Sequence, residues 1–285
     1  MQFPAVDTER YIAFLLATLP RLGQRPLYAP RWCFLKRRHA VLDRALREAA
    51  NRPGIGLEFG VFRGWSLSRS ARRQPWRTFY GFDSFVGLPK DGRPDWKIDF
   101  SLKQLPKVPA NCRLVPGWFN QTVPAFVAEN RDPIAFVSID CDLYSSTRDV
   151  LFGLGDRLQP GTVFYFDELI NYDSFLWNEM LALFEFLEAT GFGVEWIAQH
   201  CRVRGVEEVF GYYDAETYPH WRQDFTDGYR LPAAAVLTGG NTDLGLLDDR
   251  TEREKVKALA RRFERFTDIY RGLWKNPAPE AAPAG

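Results

Sequence analysis

From Pro53 onward, short apolar runs alternate with stretches of helical periodicity. That rhythm predicts an α/β domain built on a mostly parallel sheet. Strands are expected at 55–59, 78–82, 113–116, 134–139, 162–166, 194–198 and 233–237. Runs such as Ile134-Ala135-Phe136-Val137 do not alternate, which suits strands covered on both faces. Helices are expected at 66–73, 122–129, 145–158 and 175–190, with Gly161 and Gly191 just past two of their ends. Seven strands in one stretch read as a single doubly wound, Rossmann-like sheet.

The flanks are helical. Asp7 can cap a helix carrying Tyr11, Phe14, Leu15, Thr18 and Leu19, which should end near Pro20. A second helix is expected over 32–50, with Val41, Leu42, Ala45, Leu46 and Ala49 turned inward. Its run Lys36, Arg37, Arg38 reads more simply as a solvated face than as an anion site. Near the C-terminus, Thr251-Glu252-Arg253-Glu254 fits a capping box. Val256, Leu259, Phe263, Phe266, Tyr270 and Leu273 then recur at spacings of three and four. This narrow seam would either join a second copy of the chain as a homodimer or dock on its own domain. The chain thus divides into an N-terminal helical cap (1–52), the sheet domain (53–240), a C-terminal helix (241–276) and a disordered tail (277–285).

Two segments break the rhythm. Residues 84–111 and 199–232 are rich in aromatics, the second holding Tyr212, Tyr213, Tyr218, His220, Trp221, Phe225 and Tyr229. Loops this long inside a domain are usually functional or disordered. Their aromatic content argues for lids.

Composition then removes several function classes. The 37 Lys and Arg are balanced by 36 Asp and Glu, so bulk charge does not favour a nucleic-acid partner. No stretch approaches the roughly 20 apolar residues of a membrane span, and a basic then apolar leader is not seen at the start. Cys33, Cys112, Cys141 and Cys201 form no CxxC pair, which fits reduced thiols in a cytoplasm.

Chemistry gathers at the strand ends. After the first strand, Glu58-Phe59-Gly60-Val61-Phe62-Arg63-Gly64-Trp65-Ser66 makes a glycine turn into a helix. Such a turn lets backbone approach a ligand and offers free helix N–H groups. Its spacing is E-x-G-x-x-x-G, so the dinucleotide fingerprint fails, and with it a nicotinamide dehydrogenase. Asp83, at the end of the second strand, is well placed for a ribose. Asp140 and Asp142 follow the fourth strand, and Asp167 and Glu168 the fifth. In an open parallel sheet those ends share one edge, where four carboxylates would repel one another unless a hard cation joined them. Asp142 could instead simply cap the next helix.

These residues carry a resemblance. The stretch 58–66, Phe82-Asp83-Ser84-Phe85-Val86-Gly87-Leu88-Pro89, Gly117-Trp118-Phe119, Asp140-Cys141-Asp142-Leu143-Tyr144-Ser145-Ser146-Thr147 and Pro160-Gly161 before Asp167-Glu168 together resemble the macrocin O-methyltransferase family. These are class I S-adenosylmethionine-dependent enzymes, mostly acting on sugar hydroxyls of natural products. The likeness covers about residues 54–198, and the glycine motif is also similar to that of catechol O-methyltransferases. It implies that Glu58, Gly60, Gly64 and Ser66 hold the methionine end of the cofactor. Asp83 would hold the ribose, with Gly117 and Trp118 at the adenine. It also implies that Asp140, Asp167 and Glu168 ligate Mg2+ or another divalent cation, Asp140 bordering the cofactor as well. Asp142 matches the acid that acts as general base. Two departures stand out: Asp167-Glu168 replaces the family's Asp-Asp, and Leu143 stands where catechol-type enzymes carry a lysine.

The expected chemistry is methyl transfer to a hydroxyl of a small molecule such as a sugar or natural product. A metal would orient that hydroxyl, and Asp142 or His200 would take its proton. Among the three histidines (His39, His200, His220), each is more often structural than catalytic. N-methylation, and a non-catalytic protein that only binds the cofactor, remain as alternatives.

Overall fold

A computed structural model describes residues 6–27, 34–89, 100–172, 175–200, 202–214, 231–240 and 250–275. Seven strands form one sheet: β1 (Ile55–Phe59), β2 (Phe79–Asp83), β3 (Cys112–Pro116), β4 (Ile134–Ile139), β5 (Val163–Ile170), β6 (Gly193–Gln199) and β7 (Leu231–Thr238). Their order is β3-β2-β1-β4-β5-β7-β6. The pairs β1–β2, β1–β4, β2–β3 and β4–β5 are parallel, while β7 runs antiparallel to both β5 and β6.

The helices are α1 (Thr8–Gly23), α2 (Phe34–Ala49), α3 (Trp65–Arg73), α4 (Phe119–Glu129), α5 (Tyr144–Leu154), α6 (Glu179–Thr190), α7 (Val206–Asp214) and α8 (Arg250–Lys275). They cover both faces, which explains the unbroken apolar runs of β4 and β5. On one face, Val41, Leu42, Ala45 and Leu46 of α2 and Leu67 of α3 cluster with Phe79, Phe136, Val163 and Tyr165. On the other, Leu57, Phe59, Val137, Phe164 and Phe166 join α1, α4, α5, α6, α7 and α8 in a larger core. The arrangement is the doubly wound α/β fold expected from the pattern. No described helix is long and apolar enough to cross a membrane.

Arg77 ties three elements together. Its guanidinium donates to the carbonyls of Ala49, Arg52 and Gly54 and to the Gln74 side chain. These bonds join the end of α2 and the start of β1 to the turn that follows α3. Burial without an ion pair pushes its pKa down, and the four acceptors offset that desolvation.

Three expectations shift. Helix α1 is capped by Asp7 as expected, but runs through Pro20 to Gly23. Proline there removes a single bond, while the added turn keeps Leu22 fully buried. The fifth strand does not stop at Phe166: it continues to Ile170, with a register irregularity between Phe166 and Ile170 against β7. The segment 199–232 is not one long lid, because α7 lies inside it, with Val206, Val209 and Phe210 buried. Residues 201 and 215–230, including Tyr218, His220, Trp221, Phe225 and Tyr229, lie outside the described residues. So do Cys33 and the tail beyond Lys275.

The seam of α8 docks on its own chain. The Phe263 ring stacks on Trp177 and meets the Tyr11 edge, and Phe266 packs against Phe210. Trp177 Nε1 donates to Thr267 Oγ1 at 2.7 Å. Val256, Leu259, Phe263 and Phe266 are all buried by these contacts.

Candidate active site

The carboxyl ends of β1, β2, β4 and β5 open onto a cavity of about 600 Å³. Its walls carry Gly60, Val61, Phe62, Arg63, Trp65 and Ser66 from the turn after β1, and Asp83 and Ser84 after β2. Gly117, Trp118 and Phe119 follow β3, Asp140 and Asp142 follow β4, and Asp167 and Glu168 come from β5. This is the edge at which open α/β sheets bind ligands.

The turn after β1 is fixed from two directions. Gly60 sits at φ 90°, and a Cβ there would overlap the carbonyl oxygen of Asp140. Only glycine allows β1 and β4 to close this tightly, with Asp140 N donating to Phe59 O at 2.8 Å. The Asp83 carboxylate then takes the turn's amides: Oδ2 accepts from Val61 N at 2.8 Å and Phe62 N at 2.7 Å. Its Oδ1 accepts from Phe85 N at 2.7 Å. Phe62 and Phe85 both adopt positive φ, so the carboxylate braces two left-handed residues.

Glu58 lies behind this turn, on the α2 side of the sheet. Its Oε1 accepts from Ser66 Oγ at 2.9 Å, which couples the end of β1 to the first turn of α3. Burial pushes its pKa well up, and the nearby charges of Asp140 and Asp83 add to that, against the Ser66 bond. Strand pairing aligns Glu58 with Ser138 and Ser138 with Tyr165, a polar row beneath the cavity. Tyr165 OH donates to Asp167 Oδ1 at 2.6 Å.

Of the residues singled out in the sequence, Gly60, Ser66, Asp83, Gly117, Trp118, Asp140, Asp142, Asp167 and Glu168 all line the cavity. Glu58 and Gly64 stand behind its wall, Gly64 as the left-handed N-cap of α3. His200 does not join them: it is buried beyond the edge strand β6 and is not among the lining residues. The loop 84–111 does border the site through Ser84, Gly87, Leu88, Pro89 and Phe100, and a bridge between Val86 and Ser101 closes its base. Residues 90–99 lie outside the described residues.

Asp167 and Glu168 lie within the irregular part of β5 rather than past its end. A break of this kind turns side chains off the regular alternation, here toward the cavity. The oxygen-rich donor set has the right chemistry for a hard cation. Its arrangement does not fit one, since among the described residues no group of three or more His, Cys, Asp or Glu side chains could hold a metal ion.

Three titratable lining residues were not legible as site residues. His39 comes from α2, Asp149 from α5 and Tyr165 from the middle of β5. Asp149 falls one turn after Ser145 and Ser146, which also line the cavity, and that spacing was the available signal. Counting Asp83, Asp140, Asp142, Asp149, Asp167 and Glu168, the described lining carries six carboxylates against one arginine, Arg63.

Residues 57–169 match a family model described as a methyltransferase domain. The 8-demethyl-8-(2,3-dimethoxy-alpha-L-rhamnosyl)-tetracenomycin-C 4'-O-methyltransferase of Streptomyces olivaceus is 31% identical over 141 residues, 41% of this chain and 53% of that protein. Mycinamicin III 3''-O-methyltransferase of Micromonospora griseorubida is 32% identical over 152 residues, 43% of this chain and 57% of that one. The crystal structure of CalS11, calicheamicin methyltransferase, aligns at 25% identity with a TM-score of 0.45, covering 67% of this chain and 90% of that one. The chain spans a little over half the length of the curated relatives it matches. The stretch from β1 to β5 that frames the cavity is the part of the chain that matches the methyltransferase-domain model.

Proposed function

We propose that this chain transfers a methyl group from S-adenosylmethionine to a hydroxyl of a small molecule, a sugar or a sugar-bearing natural product. The observation that carries this reading is the cavity itself, where the turn after β1, Asp83 and two acidic strand ends meet inside the methyltransferase domain. The named relatives, which methylate a rhamnosyl 4'-hydroxyl and a mycinamicin 3''-hydroxyl, support the acceptor class.

The residues present fit the cofactor. Glycine at position 60 leaves room against the backbone, Trp118 and Phe119 offer flat apolar surface, and the acidic wall suits a cation. Glu58, Gly60, Gly64 and Ser66 would hold its methionine end, Asp140 would border it, and Gly117 and Trp118 would flank the adenine. Asp83 already braces three amides, and its remaining lone pairs would meet the ribose. When bound, the cofactor supplies an electrophilic methyl group.

The chain's own work is to orient the acceptor and receive its proton. Asp142, buried and facing the cavity, is the base in this reading. Phe62, Trp65 and Phe100 line the cavity around the acceptor, with the Phe62 and Phe100 rings edge to face. Holding the acceptor oxygen close to the methyl carbon supplies much of the acceleration. Asp140, Asp167 and Glu168 have the donor chemistry for Mg2+, but their side chains are not arranged to hold it. No step is assigned to it.

The test is transfer of labelled methyl from S-adenosylmethionine to a panel of rhamnosides and other glycosides, with amines as controls, with and without EDTA. Labelled methyl ethers are the expected product. Binding of S-adenosylhomocysteine with no transfer to any hydroxyl or amine would overturn the enzyme reading in favour of a binding module. Loss of turnover in EDTA, restored by Mg2+, would put the metal back into the mechanism.

A further inference from the structure

Glu179 is a buried acid outside the cavity lining. It opens α6 directly after Asn178, is fully buried, and neither carboxyl oxygen has a hydrogen-bond partner. Apart from Asn178, its neighbours along the chain are apolar: Leu176 and Trp177 before it, Met180, Leu181 and Leu183 after it. An unpaired carboxyl in such surroundings costs stability, and a methionine or leucine would fill the place without that cost.

What Glu179 faces is the back of the turn between β4 and α5. The backbone N–H groups of Asp142 and Cys141 are turned toward its carboxyl and favour its charged form, without closing bonds of ordinary geometry. Burial, followed by the charges of Asp142 and Asp140, pushes its pKa well up. On the other side of the same turn, Asp142 stands at φ 62°, a left-handed conformation that non-glycine residues hold only when their surroundings impose it. Leu143 N bonding back to Cys141 O at 2.7 Å closes the turn.

We propose that Glu179 is a positioning residue that seats the Cys141–Asp142 backbone from behind, so that the Asp142 side chain is presented to the cavity. It rests on the reading of Asp142 as the base. Glu179 is a buried acid set against these two amides.

The first measurement is hydrogen exchange of the segment 139–147 in the free full chain, which needs no acceptor. Glu179→Met keeps the side chain's length and removes its oxygens. It is expected to raise exchange in this segment by about tenfold while 134–138 stays as in the wild type. Glu179→Gln keeps an acceptor oxygen and should recover most of the protection. Unchanged exchange in Glu179→Met, or a rise spread evenly over the sheet, would overturn the proposal.

The second measurement is methyl transfer to the rhamnoside acceptor. Glu179→Met should lower kcat with KM little changed, and should add nothing to the loss already caused by Asp142→Asn. Full additivity of the two losses would count against positioning through Asp142. If Asp142→Asn keeps its activity, the base reading falls on its own, while the exchange data still decide whether Glu179 seats the turn.

Discussion

The carboxylate of Asp83 holds the backbone of Phe62. Its Oδ2 is 2.7 Å from the Phe62 nitrogen, and the same oxygen takes the amide of Val61. The end of β2 thereby sets the shape of the turn after β1, the turn that forms one wall of the cavity. An acid at this position does structural work before any ligand arrives.

Asp83→Asn tests that bond. An amide group keeps one acceptor oxygen and turns a donor toward amides that need an acceptor. The loss should be about 2 kcal/mol of stability, with S-adenosylhomocysteine affinity falling as well. Thermal melts and calorimetric titration read the two effects separately. Unchanged values for both would show that the turn holds its own shape.

Gly60→Ala should be worse. The new Cβ would meet the Asp140 carbonyl at a φ that only glycine adopts readily. A cost of about 3 kcal/mol is expected, measurable by urea denaturation. Cofactor affinity should fall with it, because relief requires β1 and β4 to separate where the cavity begins.

The docking of α8 makes a third test. Phe263→Ala removes a ring packed between Tyr11 and Trp177, and should cost about 3 to 5 kcal/mol. Thr267→Val keeps the volume and leaves the buried Trp177 N–H without its acceptor, for about 1 to 3 kcal/mol. Melts of both variants, compared over a range of protein concentration, check the intramolecular contact: the losses should not depend on concentration.

Cys112 should be a slow nucleophile. Burial, with a contribution from Glu58 and opposition from Arg72, pushes its thiol from an ordinary value near 9 up to about 11. Alkylation at Cys112, followed by mass spectrometry, should therefore rise with a midpoint near 11. Linkage gives the sign for stability. The folded thiol keeps its proton where the unfolded one has lost it, so this contribution is whole below pH 9 and declines as pH rises toward 11. A midpoint near 9 would mean the site is solvated.

The sheet was legible because each of its strands is an apolar run bounded by turn residues. All seven expected strands are present, and the motifs from Glu58 to Glu168 fall within residues 57–169, which match a methyltransferase-domain model. What escaped depends on contacts distant in sequence. The extension of β5 past Phe166 exists because β7, about 65 residues later, supplies Leu231 as a partner for Ile170. Helix α7 shows its spacing only in Val206, Val209 and Phe210, too short a signal among so many aromatics. His39 reaches the cavity because α2 packs across the strands, which no local pattern reveals.

Six carboxylates around the described cavity, with Arg63 as the arginine among them, make its interior prefer a cation to a neutral guest. In the proposed reaction the methyl donor would bring a positive sulfonium into this cavity, and the thioether left after transfer would not carry that charge. The acidic wall that draws the donor in should therefore weaken its grip once the methyl group has gone. On this account, product inhibition is relieved by electrostatics already built into the strand ends, and added salt should narrow the difference in affinity between donor and product.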